Sequence, residues 1–544
     1  MAVKLSESLR RRRTVAILTA GVAASAIAVA GCGGGSETGS SAGDVASYVP
    51  SSSPLYLEVT TDFDGAQWQQ VQALATEFPG YPQLERMIQK DLETGNVDFD
   101  TDVKPLLGER AAIAGLALPP AGDLTKGLTV PTAAEAGDDM RFVAVVDVAD
   151  GKSQQVKDLL VREGAVSGGE HDGAEYFTSK DADGVVAVDD EALVFSDTKE
   201  QVFAALDAHQ AGGDQTLAGT DKFTGALAKL PSDVFGQAYL DLGAFVQEAG
   251  KAAGPQADQL GLADLRNAVM AASIAAEPDG ARLKGVIMGA PSDVATEFSP
   301  TLTETVPADA LAYVGFSNLS GALTQVFQQV QGSLGDEEKR QLEGLSDQLP
   351  QLLGVSLDDL SALAEKEHAL VVTPGATPGA ALALQVDDGA KAQDTLDKLR
   401  VGIPALVKTF QPDATIPKWQ PVPLAGGVQG WRLPLSPKAG VVYGVDGDLA
   451  IVGTSVRAVT SVQRPVASLS ESAAFQEGTA GMPDQVTSVF WLNLQEGLGT
   501  LRKAGALKDA TPATLANLRP LKSLAAWTTA GDVPGFEVFV RIHS

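Results

Sequence analysis

Four carboxylates between residues 98 and 109 have the spacing of a calcium-binding loop. They occupy positions 1, 3, 5 and 12 of the EF-hand pattern, whose side-chain oxygens bind Ca²⁺. They are Asp98, Asp100, Asp102 and Glu109. The pattern is incomplete, because Val103 stands at position 6, where the sharp turn of an EF-hand needs glycine. The alternative is that these acids precede a helix beginning near Val103, whose positive end they would stabilise.

Two other motifs contain reactive side chains without the partners that their chemistry needs. Residues 196–199 read Ser-Asp-Thr-Lys and match S-x-x-K, but the companion motifs S-D-N and K-T-G are missing. Glu170-His171-Asp172 lies between glycines, and three sequence neighbours cannot easily converge on one metal ion. We expect a strand end followed by a helix cap at the first motif and a solvated loop at the second. The sequence therefore identifies no catalytic residues.

Cys32, the single cysteine of this 544-residue chain, follows a segment with the anatomy of an export signal. Residues 10–13 are arginine, and the uncharged run from 14 to 30 is shorter than the ~20 residues that span a membrane. Val29-Ala30-Gly31-Cys32 resembles the bacterial lipobox, in which the cysteine sulfur receives a diacylglyceryl group. We therefore predict a signal peptide over 1–31, cleavage between Gly31 and Cys32, and a two-chain lipid anchor at Cys32.

Composition narrows the possible partners. Residues 1–31 contain five basic residues and one acid, so removing them changes the net charge from −29 to −33. Such a negative field repels phosphate backbones, which argues against nucleic-acid binding. With Cys32 lipidated, no thiol remains for disulfides, nucleophilic catalysis or metal binding. Stability must then come from core packing.

The body of the chain is a diverged tandem repeat. Four blocks recur in the same order with offsets of about 250 residues, far longer than a solenoid period of ~20–50. The matched blocks are 49–59 with 306–316, 142–160 with 381–399, 185–206 with 441–462, and 223–242 with 475–494. We predict a Gly/Ser-rich tether over 32–47, domains over 48–290 and 306–544, and a linker over 291–305.

Each repeat is predicted to be an α+β domain, in which a largely antiparallel sheet packs with helices. Apolar, β-branched segments bounded by turn residues predict strands, and apolar residues at helical spacing predict helices. Asp150 and Thr198 are candidate caps for the helices at 154–160 and 199–206. The predicted strands are 55–59, 142–148 and 234–242, with hairpins at 185–188/192–196, 272–277/281–288 and 524–530/536–542.

The pattern as a whole resembles an uncharacterised bacterial family, domain of unknown function 3352, common among actinobacterial lipoproteins. The lipobox, residues 49–56 and residues 103–110 carry the resemblance, which covers most of the mature chain. The second repeat departs from it at residues 360–366. Because the family has no assigned activity, the resemblance implies neither catalytic residues nor a cofactor.

Two functional hypotheses follow. The first is a non-enzymatic binding or assembly module, with an apolar-ligand carrier as a subtype, anchored by Cys32 to lipid on the outer face of the cytoplasmic membrane. The alternative is a cell-envelope hydrolase that uses carboxylates whose spacing does not reveal them. Trp419 and Trp431 flank a Pro/Gly-rich segment and either line a binding face or pack in the core. The sequence leaves the ligand, partner, oligomeric state and export route undetermined.

Overall fold

The computed structural model describes residues 45–92, 97–118, 141–179, 184–253, 265–290, 296–318, 321, 350, 353–375, 377–410, 413, 415–436 and 440–542. Gly31 and Cys32 lie outside these residues. At the start of the described chain, Val45–Tyr48 forms a 3₁₀ turn with three buried side chains. Residues 45–47, which the sequence assigns to the tether, thus belong to the folded part. No helix among the described residues is both long and apolar enough to cross a bilayer.

The chain divides into two compact units between Pro291 and Ser292, and the short pieces Ala516–Pro520 and Ile542–Ser544 group with the first unit. This division falls inside the predicted linker, 291–305. The second half of that segment is structured, because Thr301–Glu304 forms a 3₁₀ turn that buries Leu302 and Thr303.

The described part of the first unit contains ten strands and six helices. The strands are β1 (Leu55–Thr60), β2 (Leu107–Gly115), β3 (Phe142–Val148), β4 (Val166–His171), β5 (Ala174–Thr178), β6 (Val185–Val188), β7 (Ala192–Ser196), β8 (Gly236–Asp241), β9 (Val269–Glu277) and β10 (Gly280–Met288). The helices are α1 (Ala66–Thr76), α2 (Tyr81–Leu92), α3 (Ser153–Arg162), α4 (Lys199–Ala211), α5 (Asp221–Leu227) and α6 (Leu242–Ala253).

The described part of the second unit also contains ten strands. They are β11 (Ala312–Ser317), β12 (Glu367–Thr373), β13 (Gly379–Gln385), β14 (Gln420–Pro423), β15 (Gln429–Pro434), β16 (Gly440–Asp446), β17 (Leu449–Gly453), β18 (Ser488–Asn493), β19 (Ser523–Thr529) and β20 (Gly535–Arg541). The helices are α7 (Leu357–Ala362), α8 (Gly389–Phe410), α9 (Val456–Gln463), α10 (Ala473–Gly478), α11 (Leu494–Lys503) and α12 (Pro512–Leu518), of which the last three residues group with the first unit.

Both units arrange their strands in the same antiparallel order. The first runs β4-β5-β6-β7-β3-β2-β1-β8-β9-β10. The second runs β14-β15-β16-β17-β13-β12-β11-β18-β19-β20. The protein is therefore a mixed α+β structure with a large antiparallel sheet component.

The predicted hairpins form where the turn residues indicate. Glu277 pairs with Gly280 at the end of β9–β10, closing a turn over Pro278 and Asp279. In the β6–β7 turn, Asp189 accepts the backbone N–H groups of Glu191 and Ala192 at 2.8 and 2.7 Å. Such a local side-chain bond fixes the turn. The hairpin predictions are confirmed.

Helices cover both faces of the sheet in the second unit. Helix α8 packs Ala392 and Leu396 against Leu384 of β13 in one apolar cluster. Helix α9 packs Val459 against Ile451 of β17 in a separate cluster. Successive strand residues point to opposite faces, which explains why β17 reads as a continuous apolar run.

Of three predicted helix starts, one agrees with the structure and two differ from it. Thr198 caps α4 by accepting the N–H of Gln201, as expected. Asp150 is not the cap of α3, because a turn with Gly151 at φ 68° precedes the helix and makes Lys152 the N-cap. No long helix begins at Val103 either, since two short helical turns end at Leu106 and the chain enters β2. Pairing of β2 with β1 takes precedence over local helix formation.

Candidate functional site

The four acids of the predicted calcium loop are divided between a capping turn and a strand. Asp98 accepts the N–H of Thr101 at 3.0 Å and caps the turn, while Asp102 accepts the N–H of Asp98 at 3.0 Å. That backbone hydrogen bond is the main reason why the pKa of Asp102 is lowered. Asp100 and Glu109 are exposed, the latter on β2. The structure thus joins two of the four acids through the backbone, and calcium binding stays a prediction.

The serine and the lysine of the S-x-x-K motif have different hydrogen-bond partners. The Ser196 hydroxyl is buried at the end of β7 and lies 2.5 Å from the carbonyl oxygen of Phe142. Lys199 instead donates to the hydroxyl of Tyr176 at 2.8 Å and lies over the Tyr176 ring. The expected strand end and helix cap account for this motif.

His171 and Asp172 meet a third metal-capable side chain that the sequence analysis missed. His171 Nε2 lies 2.6 Å from an Asp207 carboxylate oxygen and 3.7 Å from Asp172 Oδ2. One ligand atom from each residue lies within 4.8 Å of the others. Asp207 comes from α4, which packs beside the hairpin, so only the tertiary fold could reveal it. The expectation of a solvated loop was therefore wrong, because Glu170 and His171 belong to β4 and Asp172 to its hairpin turn, while Asp207 adds a carboxylate from outside the sequence motif.

Each unit buries a tyrosine hydroxyl against a carboxylate. In the first unit Tyr56 donates to Glu58, which also pairs with Arg110. In the second, the Tyr313 hydroxyl donates to Glu367 at 3.5 Å. Burial raises the pKa of Glu367, although the Thr301 hydroxyl and the Leu302 backbone N–H donate hydrogen bonds to its carboxylate. Both carboxylates are thus held within the fold by hydrogen bonds.

His368 is a fully buried imidazole next to Glu367 on β12. Its ring packs edge-on against Phe316 at a centroid distance of 5.5 Å. Burial lowers the pKa of His368, an effect that the carbonyl groups of Ala364 and Glu367 partly oppose. The neutral ring is the form that this environment favours.

Acid is expected to destabilise the second unit through His368. Its folded-state pKa is below the ordinary value of 6.5, so the unfolded chain binds more protons as the pH falls through 6.5. The free energy of unfolding should then fall by up to about 1.4 kcal/mol per pH unit. His368→Leu should flatten this slope in urea unfolding between pH 7.5 and 5. Equal slopes for the variant and the wild type would contradict the expectation. Glu367, whose pKa is raised, has the opposite sign and is common to both proteins.

The two tryptophans of the Pro/Gly-rich segment pack against an apolar cluster formed by residues of α8 and of the sheet. Trp419 contacts Tyr443 edge-on at 5.5 Å, and the Arg400 guanidinium lies 3.9 Å from the Trp431 ring centroid. The Tyr443 hydroxyl donates to Asp397 at 2.7 Å. Both tryptophans are partly buried against an apolar cluster, which favours core packing over a binding face.

The comparisons with known proteins give a family and no activity. A family model described as "Protein of unknown function (DUF3352)" matches residues 14–535. No curated protein matches the chain. Two solved structures are similar to parts of it, at 9% identity each. Crystal form III of TP0453 has a TM-score of 0.24 over 47% of this chain and 83% of that one. Crystal form IV has a TM-score of 0.20 over 43% and 76%. Scores this low support no conclusion about fold or function.

Proposed function

This chain belongs to the DUF3352 family of proteins of unknown function, and we propose that it is a lipid-anchored extracytoplasmic protein. In this proposal it acts as a non-enzymatic binding or assembly module. The anchor is a diacylglyceryl group on Cys32, which places the folded units on the outer face of the cytoplasmic membrane. An apolar-ligand carrier is one form that such a module takes.

The length of the segment after Cys32 supports a position close to the membrane. Twelve residues separate Cys32 from Val45, the first residue that the structure describes. A chain of this length reaches at most about 40 Å when extended. The first unit would therefore stay within one protein diameter of the bilayer.

The repeated strand order supports a duplicated module, and this is the observation that carries the proposal. Tyr56 of β1 lies opposite Tyr239 of β8, and Tyr313 of β11 lies opposite Trp491 of β18. Large aromatic residues thus occupy equivalent places in the strand orders of the two units. We infer that the units are diverged tandem-repeat domains, corresponding to the predicted 48–290 and 306–544. Two related domains would provide two similar surfaces for binding or assembly.

The environments of Glu58, Glu367 and Ser196 do not suit these three groups to hydrolysis. Glu58 and Glu367 are buried, and they are bonded to Arg110 and Thr301 respectively. Ser196 is also fully buried. A cell-envelope hydrolase needs a carboxylate or nucleophile that can reach its substrate. The alternative of a hydrolase therefore has less support from these residues.

Replacing Cys32 tests the anchor directly. We expect Cys32→Ala to abolish incorporation of a labelled palmitate analogue, because the thiol is the acceptor of the lipid. Because cleavage follows lipidation in this pathway, Cys32→Ala should keep residues 1–31, and once that segment is removed its intact mass should be lower than that of the wild type by the diacylglyceryl group and the cysteine sulfur. The protein should also move from the detergent phase to the aqueous phase once its signal segment is removed.

Ser36→Ala is the matched control, since it changes a nearby small polar residue and leaves the lipobox intact. It should incorporate the label like the wild type. Labelling of Cys32→Ala at the wild-type level would rule out the anchor.

Native mass spectrometry of the same wild-type preparation tests the carrier form of the module. A spectrum without a retained apolar molecule would rule out the carrier and leave protein assembly as the proposed role.

A further inference from the structure

We propose that the tip of the β4–β5 hairpin and helix α4 form a binding site for a first-row transition-metal cation such as Zn²⁺. The ligands are His171, Asp172 and Asp207, whose ligand atoms lie within 4.8 Å of one another. The site goes beyond the proposed anchoring and assembly role, and it does not depend on the lipid.

The hairpin turn sets the position of the first two ligands. His171 pairs with Ala174, which leaves Asp172 and Gly173 as a two-residue turn. Both turn residues have positive φ, 47° and 84°, as a type I′ turn requires. Asp-Gly is a preferred pair for this turn, so Asp172 is held at the hairpin tip next to His171.

Helix α4 orients the imidazole and supplies the third ligand. The His171 ring stacks parallel to Phe203 at a centroid distance of 3.8 Å and an interplanar angle of 6°. Phe203 and Asp207 are four residues apart on α4 and share one face of the helix. The stacked ring therefore directs Nε2 to the Asp207 carboxylate, 2.6 Å away.

The ligand types select the class of metal. Imidazole suits Zn²⁺, Cu²⁺, Ni²⁺ and Fe²⁺, whereas Ca²⁺ and Mg²⁺ prefer sites made only of oxygen. Two carboxylates balance the double positive charge. Three protein ligands leave a coordination position for water. The His171, Asp172 and Asp207 side chains are 27%, 39% and 61% exposed, so the cation can enter from solvent.

The competing explanation is an ion pair between His171 and Asp207 that joins the hairpin to α4 without a metal. A metal-binding measurement separates the two. Isothermal titration of Zn²⁺ into the full chain in detergent should give one saturable event that involves these residues. His171→Ala and Asp207→Asn should each weaken it tenfold or more. Zn²⁺ should also slow hydrogen exchange of the β4 and β5 amides, because it ties the hairpin to the helix.

Glu170→Gln is the matched control, because it removes the same charge as Asp207→Asn from an exposed neighbour outside the ligand set. It should bind Zn²⁺ like the wild type. Circular dichroism of each variant verifies folding. A wild type without a saturable event would overturn the proposal. So would His171→Ala and Asp207→Asn variants that bind like the wild type.

Discussion

Replacing Arg110 with alanine is expected to lower the free energy of unfolding of the first unit by about 3–5 kcal/mol. The Glu58 side chain is 2% exposed, and that of Arg110 is 15% exposed. The change removes the cation and leaves the carboxylate charged in the core. Removing one partner of a buried pair is costly for this reason, although the intact pair itself contributes little.

Hydrogen exchange of the β1 and β2 amides is the suitable measurement, because a chain of two units need not unfold in one step. Glu58→Gln combined with Arg110→Ala is the matched control. It removes the unpaired charge, keeps an acceptor for the Tyr56 hydroxyl, and should recover more than half of the loss. Exposed ion pairs contribute less than about 1 kcal/mol. A loss below that value for Arg110→Ala would contradict the expected burial of the Glu58–Arg110 pair.

Trp491→Ala is expected to destabilise the second unit by about 3–5 kcal/mol, as large-to-small changes at core aromatics do. Trp491 is fully buried in β18 and contacts Phe475 of α10 edge-on at 5.6 Å. It also lies opposite Tyr313 of β11. Its loss would leave a cavity between the sheet and α10 that the surrounding strands could only partly fill.

Urea unfolding followed by circular dichroism, with hydrogen exchange of β11 and β18, measures this effect. Trp491→Phe keeps an aromatic ring and should lose less than Trp491→Ala. Val466→Ala changes a fully exposed side chain and should alter the free energy of unfolding by less than about 0.5 kcal/mol. Equal stability of Trp491→Ala and Val466→Ala would show that the core does not depend on this residue.

Local features of the fold were predictable because their signals lie within a few residues. Alternating and continuous apolar runs predicted β3 and the β6–β7, β9–β10 and β19–β20 hairpins, whose turns contain Pro, Gly and Asp. Thr198 was recognisable as a cap because its hydroxyl acts three residues away. The prediction that Asp150 caps α3 was wrong, because Gly151 permits a turn that the periodicity of the following helix does not reveal.

The candidate site was only partly predictable. His171 and Asp172 were visible as neighbours, but Asp207 lies 36 residues after His171 in another element. Which face of α4 meets the hairpin depends on how the helix packs on the sheet. Arg110 likewise follows Glu58 by 52 residues and reaches it through the pairing of β1 with β2.

The sequence by itself determined the α+β character, the hairpins and the recurrence of four blocks, and it predicts the lipid attachment at Cys32. These depend on periodicity, turn residues and motif spacing, which act over short stretches of chain. The tertiary structure alone decided which distant side chains meet, as in the pair of Glu58 with Arg110 and the group of His171, Asp172 and Asp207. Such contacts depend on strand register and helix packing, and a local pattern contains no information about either.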